Sequence, residues 1–161
     1  MDTDSEHAPI DKSGWGDGPW KDEPDRKEWR DPATGLVCLA LRNDHFGNWC
    51  GYVAVPPGHP AHGKDYDDLD VSVHGGLTYA KACSGDICHV PAPGEPDDVW
   101  WLGFDCGHYM DLMPGYEALR ARIGMPDFTA ALHDIFHESY KPLTYVESEC
   151  TDLAKQLAAM V

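Results

Sequence analysis

Two stretches decide how this chain folds: Val71 to Ala80, VSVHGGLTYA, and Val99 to His108, VWWLGFDCGH. In the first, Leu69, Val71 and Val73 alternate with Asp70, Ser72 and His74, the period of a half-buried strand. That register sets His74 on the polar face immediately before Gly75 and Gly76, two residues that accept positive φ and admit a ligand or another backbone. Leu77 and Tyr79 predict that strand structure resumes beyond them. In the second stretch an apolar run stops at Asp105, Cys106 and His108, as a buried strand does when it delivers polar groups to the rim of a sheet. If the two strands are neighbours, His74, Asp105 and His108 share one site.

Working outward, Leu36–Leu41 alternates, Asn43–Asn48 turns the chain, and Trp49–Val55 alternates again before Pro56 and Pro57 stop it. This predicts an antiparallel hairpin. Ala82–Asp98, with Pro91, Pro93, Gly94 and Pro96, reads as a loop. Three helices are predicted after Asp111: Tyr116–Ile123, Phe128–Tyr140 and Thr144–Val161. In the last, Val146, Cys150, Leu153, Leu157 and Val161 make one apolar stripe, and Thr144 with Glu147 has the spacing of a capping box. Strands first and helices last give an α+β domain, an antiparallel or mixed sheet with the C-terminal helices packed on it. The domain is expected over residues 28–161, and residues 1–27, acidic and rich in Gly and Pro, are expected to be a disordered arm.

The 161-residue chain is 42% hydrophobic and carries a formal net charge of −16, which suits one domain and argues against a groove that neutralises the phosphates of a nucleic-acid polymer. No run approaches the roughly 18 to 20 apolar residues that span a bilayer, and the amino terminus lacks signal-peptide character, so a cytoplasmic protein with no membrane partner is expected. The six cysteines are then expected to be reduced, with Cys38, Cys50 and Cys150 as small core residues.

His74, Asp105, His108 and Asp111 combine imidazole with carboxylate, a donor set that suits a divalent metal such as zinc or, without metal, proton transfer. Cys83, Cys88 and Cys106 with His89 or His108 offer a second, structural zinc set, although the spacing is wider than the usual tight pair. His133 and His137 imitate a zinc-protease helix, but Asp134 replaces the glutamate, and histidines flanking an amphipathic helix explain the pattern better. The acidic run Asp65 to Asp70 lacks the spacing of a calcium loop and reads as a solvated turn. No P-loop, dinucleotide fingerprint or nucleophile elbow is present.

The segments CGYVAVPPGHPAHGKDYDDLDVSVHGGLTYA, WWLGFDCGH followed by Asp111, and YKPLTYVESECTDLAKQL together resemble a widespread group of small phage and prophage proteins. The resemblance covers Trp29 to Leu157, with HGGLTY and WWLGFD as its distinctive motifs. It implies a compact, phage-encoded protein acting in the cytoplasm of the infected or lysogenic cell. It also implies that His59, Tyr66, His74, Tyr79, Asp105 and His108 are the recurrent polar positions. By analogy with other small phage proteins, it suggests action against host defence signalling.

The leading expectation is capture of a small polar, nucleotide-like ligand by His59, Tyr66, His74, Gly75, Gly76, Tyr79, Asp105 and His108, with stacking surfaces from Tyr66, Tyr79, Trp100 or Trp101. One alternative is a metal-dependent hydrolase built on His74, Asp105 and His108, with Asp111 as fourth ligand or base. Another is a zinc-stabilised interaction protein. Whether the chain is an enzyme, and whether it forms a homo-oligomer, the sequence leaves open.

Overall fold

The computed structural model describes residues 10–108, 111–123 and 139–161. Five strands, β1 (Arg26–Arg30), β2 (Val37–Arg42), β3 (Trp49–Val55), β4 (Tyr79–Ala82) and β5 (Trp100–Asp105), form one sheet in the order β1-β2-β3-β5-β4. Every pairing is antiparallel, so of the two expected sheet types the antiparallel one is found. The helices are α1 (Pro114–Arg122) and α2 (Leu143–Ala158). The predicted helix over 128–140, with His133 and His137, lies outside the described residues but for its end.

The sheet has two covered faces, which is why β2 and β3 are buried at nearly every position. Cys38, Ala40, Val53, Val55, Leu102 and Phe104 face α2, whose Val146, Cys150, Leu153 and Leu157 are wholly buried. Burying each such aliphatic side chain contributes about 1.5–3 kcal/mol, and this stripe is what holds the helix to the sheet. Gly51 permits the close approach, because a Cβ there would lie 2.4 Å from the Phe104 ring and 2.9 Å from Cys150 Sγ. Val37, Leu39, Tyr52, Ala54 and Trp101 make the second face, with Tyr79 and Ile87 against it.

The segment Leu69–Val73 departs from the sequence prediction. Its burial alternates as expected, yet it joins no strand. Both edges of β5 are taken, by β3 and by β4, so the segment cannot pair with the strand that carries Asp105. Instead the Gln156 side chain of α2 serves as its hydrogen-bonding partner: Ser72 N–H donates to Gln156 Oε1 at 2.7 Å, and Gln156 Nε2 donates to Ser72 O at 2.7 Å.

At the helix the apolar stripe is as predicted except at Val161, which lies beyond α2 and is 88% exposed. The capping box is overturned, since Thr144 sits inside the helix and no local side chain caps it. The Leu143 N–H donates to the Glu23 carboxylate at 2.6 Å, so the cap comes from a residue distant in sequence.

That contact also corrects the N-terminal boundary. Residues 1–9 lie outside the described residues, but residues 10–27, expected in a disordered arm, pack on the domain. Trp20 is buried edge-on against Tyr140, and Glu23 and Asp25 pair with the fully buried Arg42 guanidinium at 3.0 Å each. An aromatic anchor and two countercharges outweigh the polar composition of the segment.

Cys83 and Cys88 form a disulfide, contrary to the expectation of reduced thiols. Ser84 and Ile87 exchange two backbone hydrogen bonds of 3.1 Å, closing a hairpin whose turn uses Gly85 at φ +57°. The flanking cysteines thereby stand directly opposite, Cα to Cα 4.7 Å, within disulfide reach. Among the described residues no helix is long and apolar enough to cross a membrane.

Candidate functional site

Val73 to Gly76 form a β-turn closed by Gly76 N–H donating to Val73 O at 2.9 Å. Gly75, third in the turn, has φ +69°, the conformation that favours glycine at this position. A side chain there is excluded twice over, because a Cβ would also fall 2.2 Å from the His108 ring. The turn presents His74 toward a second turn that follows β5. In that turn Gly107 N–H donates to Asp105 Oδ1 at 3.0 Å, and His108 N–H donates to Asp111 Oδ2 at 3.1 Å. Two local turns, and not the neighbouring strands expected from sequence, thus bring His74, Asp105, His108 and Asp111 together.

Asp111 is buried and organises the cluster. His74 Nε2 lies 2.7 Å from Asp111 Oδ2, and Lys141 Nζ lies 3.2 Å from Asp111 Oδ1. A buried carboxylate is tolerated because these partners replace its water. On the other side, His74 Nδ1 is 2.8 Å from the Tyr145 hydroxyl. With Nε2 donating to the carboxylate, the neutral ring accepts the Tyr145 proton at Nδ1. The same hydroxyl also donates to Glu149 Oε1 at 3.4 Å. Burial first, then nearby Glu149, pushes the Tyr145 phenol up to about 12, so it stays protonated and acts as a donor. His108 Nε2 and Asp105 Oδ1 are 3.1 Å apart without hydrogen-bond alignment. The other Asp105 oxygen accepts from the Thr78 hydroxyl at 3.3 Å.

An open groove of about 500 Å³ adjoins this cluster, bounded by Ser72, Val73 and His74 on one side and by Glu149, Asp152, Lys155 and Gln156 of α2 on the other. Tyr145, Lys141 and Glu149 were not singled out from sequence. The signal for Tyr145 and Glu149 is their four-residue spacing, a polar pair running beside the apolar stripe of the helix, whereas Lys141 precedes α2 and has no such signal.

The other expected site residues lie elsewhere. His59 is a buried structural histidine: its Nδ1 accepts from Ala61 N–H at 2.9 Å, so Nε2 donates to the Leu157 carbonyl at 2.8 Å, near the end of α2. Tyr66 belongs to an exposed 3-10 turn, Tyr66–Asp68. Tyr79 packs edge-on against Tyr52, ring centres 5.3 Å apart, on the sheet face away from α2. Trp101 is buried on that face, and Trp100 donates through Nε1 to Lys64 O at 3.0 Å. None of these aromatic rings lines the His74 groove. Gly76, at φ +82°, has open space around it, so its neighbourhood stays accessible.

The residues do not fit a metal. Among the described residues no three His, Cys, Asp or Glu side chains converge to hold an ion. In the proposed set the donors face one another as two His–carboxylate pairs, and the Lys141 ammonium occupies the cationic place beside Asp111. The structural-zinc set fails as well, because Cys83 and Cys88 are bonded to each other and Cys106 is buried on the opposite face from Ile87. Comparison with protein-family models, with curated proteins and with solved structures finds no match.

Proposed function

We propose that the protein captures a small polar, nucleotide-like ligand in the groove beside His74 and releases it unchanged. The observation that carries this reading is the orientation of His74, held at both ring nitrogens at the margin of an open groove that charged side chains of α2 border. A volume of about 500 Å³ falls in the range of small-molecule sites, about 300–1,000 Å³. Its lining suits a ligand with hydroxyl and amine donors: Glu149 and Asp152 accept from them, and Lys155 balances one anionic group. Capture asks for no activated water, which agrees with a cluster whose carboxylates are committed to internal partners. The resemblance to small phage proteins supplies a setting, the withdrawal of a signal nucleotide in the cytoplasm of an infected cell.

The test is to incubate the purified protein with a panel of nucleotides, wash, denature and chromatograph what is released. Intact ligand recovered from the wild type, and reduced recovery from Lys155→Ala, is expected. Chemically altered ligand would replace capture by catalysis, and failure to retain any nucleotide would overturn the proposal.

A further inference from the structure

A second cavity, of about 140 Å³, lies on the sheet face away from α2. It is also at the other end of the sheet: Arg30 pairs with Val37 and Val55 with Trp100 there, whereas Asp105 of the His74 cluster pairs with Cys50. Its floor is apolar and buried, made by Val37, Ala54 and Val99. Arg30 and Glu95 are the charged residues among its exposed and half-buried liners, which also include Gly35, Pro56, His89 and Pro96. We propose that this cavity is a second binding site, for a small apolar carboxylic acid about the size of benzoate.

Shape and charge support the two halves of that ligand separately. An apolar cavity of about 150 Å³ is enough to hold a benzene ring. The Arg30 guanidinium is held in place by donating to Gly35 O at 2.7 Å, and it also donates to the Glu95 carboxylate. A carboxylate therefore already accepts from one arm of the Arg30 guanidinium, Nη2, while the other arm, Nη1, is the one held by Gly35. The hydrogen bond from Arg30 holds the Glu95 carboxyl below its ordinary range, so the internal partner is ionised at neutral pH. Glu95 satisfies the cation but leaves the cavity behind it open. A ligand carboxylate joined to an apolar ring would replace Glu95 at Arg30 and fill the floor at the same time.

Benzoate and benzamide, equal in shape and different in charge, serve as probes, followed by amide chemical shifts and by calorimetry. Benzoate is expected to bind with shifts at Val37 and Val99 and to exceed benzamide by about tenfold in affinity, as a charge-assisted hydrogen bond requires. Arg30→Gln should abolish that preference. Glu95→Gln should raise benzoate affinity, because the internal competitor loses its charge. His74→Ala should leave benzoate binding unchanged, which separates this site from the groove. Equal affinity for the two probes, a preference that survives Arg30→Gln in a variant with an unaltered melting profile, or no saturable benzoate binding to the wild type would each overturn the proposal.

Discussion

Two polar networks fix the N-terminal end of α2, and they differ in whether they are closed. Around Arg42 the cation is enclosed: the guanidinium, with no exposure of its own, meets Glu23, Asp25, the Gly47 carbonyl and the Tyr140 hydroxyl, and stacks 4.4 Å from the Trp49 ring centre. Around His74 the same kinds of group, carboxylate, cation and tyrosine, meet beside an open groove. A closed network commits all its donors and acceptors to the fold, whereas an open one leaves neighbouring donors for a ligand. The comparison predicts that damage at Arg42 appears as lost stability, and damage at His74 mainly as lost binding.

The largest effect is expected from Arg42→Ala. It removes the cation that Glu23 and Asp25 share, leaving Glu23 with neutral donors only and Asp25 with Lys12, and breaking a buried ion pair from one side costs about 3–5 kcal/mol. Urea unfolding measures it; a loss below that of a surface substitution would mean that the network is not a structural clasp. Leu153→Ala, which empties a fully buried position of the α2 stripe, should cost about 2–5 kcal/mol without involving any polar group. It provides the apolar reference for the same denaturation series.

Acid should separate the two networks. Burial alone would raise the Glu23 carboxyl, but the Leu143 N–H, the Tyr140 hydroxyl and Arg42 together bring it below the ordinary range. Asp25 is lowered too, where Lys12, the Ile10 N–H and Arg42 outweigh its burial. A folded-state pKa below the unfolded one adds stability that is complete above the unfolded carboxylate range of about 4, and is lost as pH falls through the lower folded values. Stability of the wild type should therefore fall in that acid window, with a shallower fall in Glu23→Gln. Parallel slopes for the two proteins would remove Glu23 from the account.

Gly75→Ala should cost about 1–2 kcal/mol, through its positive φ and the clash with His108, and should weaken ligand capture by displacing that ring. The smallest change in stability, about 1 kcal/mol, is expected from His74→Ala, because Asp111 keeps Lys141 and the His108 N–H. Capture should nevertheless fall by about tenfold or more with the loss of a positioned polar contact. Thermal melts paired with ligand retention check both variants. A His74→Ala protein as unstable as Leu153→Ala would erase the distinction between the networks.

The sequence alone determined the local elements. Alternation at Val37–Leu41 and Trp49–Val55 made the hairpin legible, the run from Trp100 made β5, and the spacing of Val146, Cys150, Leu153 and Leu157 made α2. The turn at His74 and the polar stop at Asp105 were legible too, because glycines and an interrupted apolar run are local signals. Tertiary structure decided the rest. It chose Gln156 rather than a strand as the partner of Ser72, Glu23 as the cap of α2, and Tyr145 and Lys141 as the partners of His74 and Asp111. It also withdrew His59, Tyr66 and Tyr79 from the site. Periodicity reports which face of an element is buried, with a reach of a few residues. Which polar groups then meet depends on the sheet edges left free and on how the helix lies across the sheet, and these are fixed only when segments distant in sequence pack together.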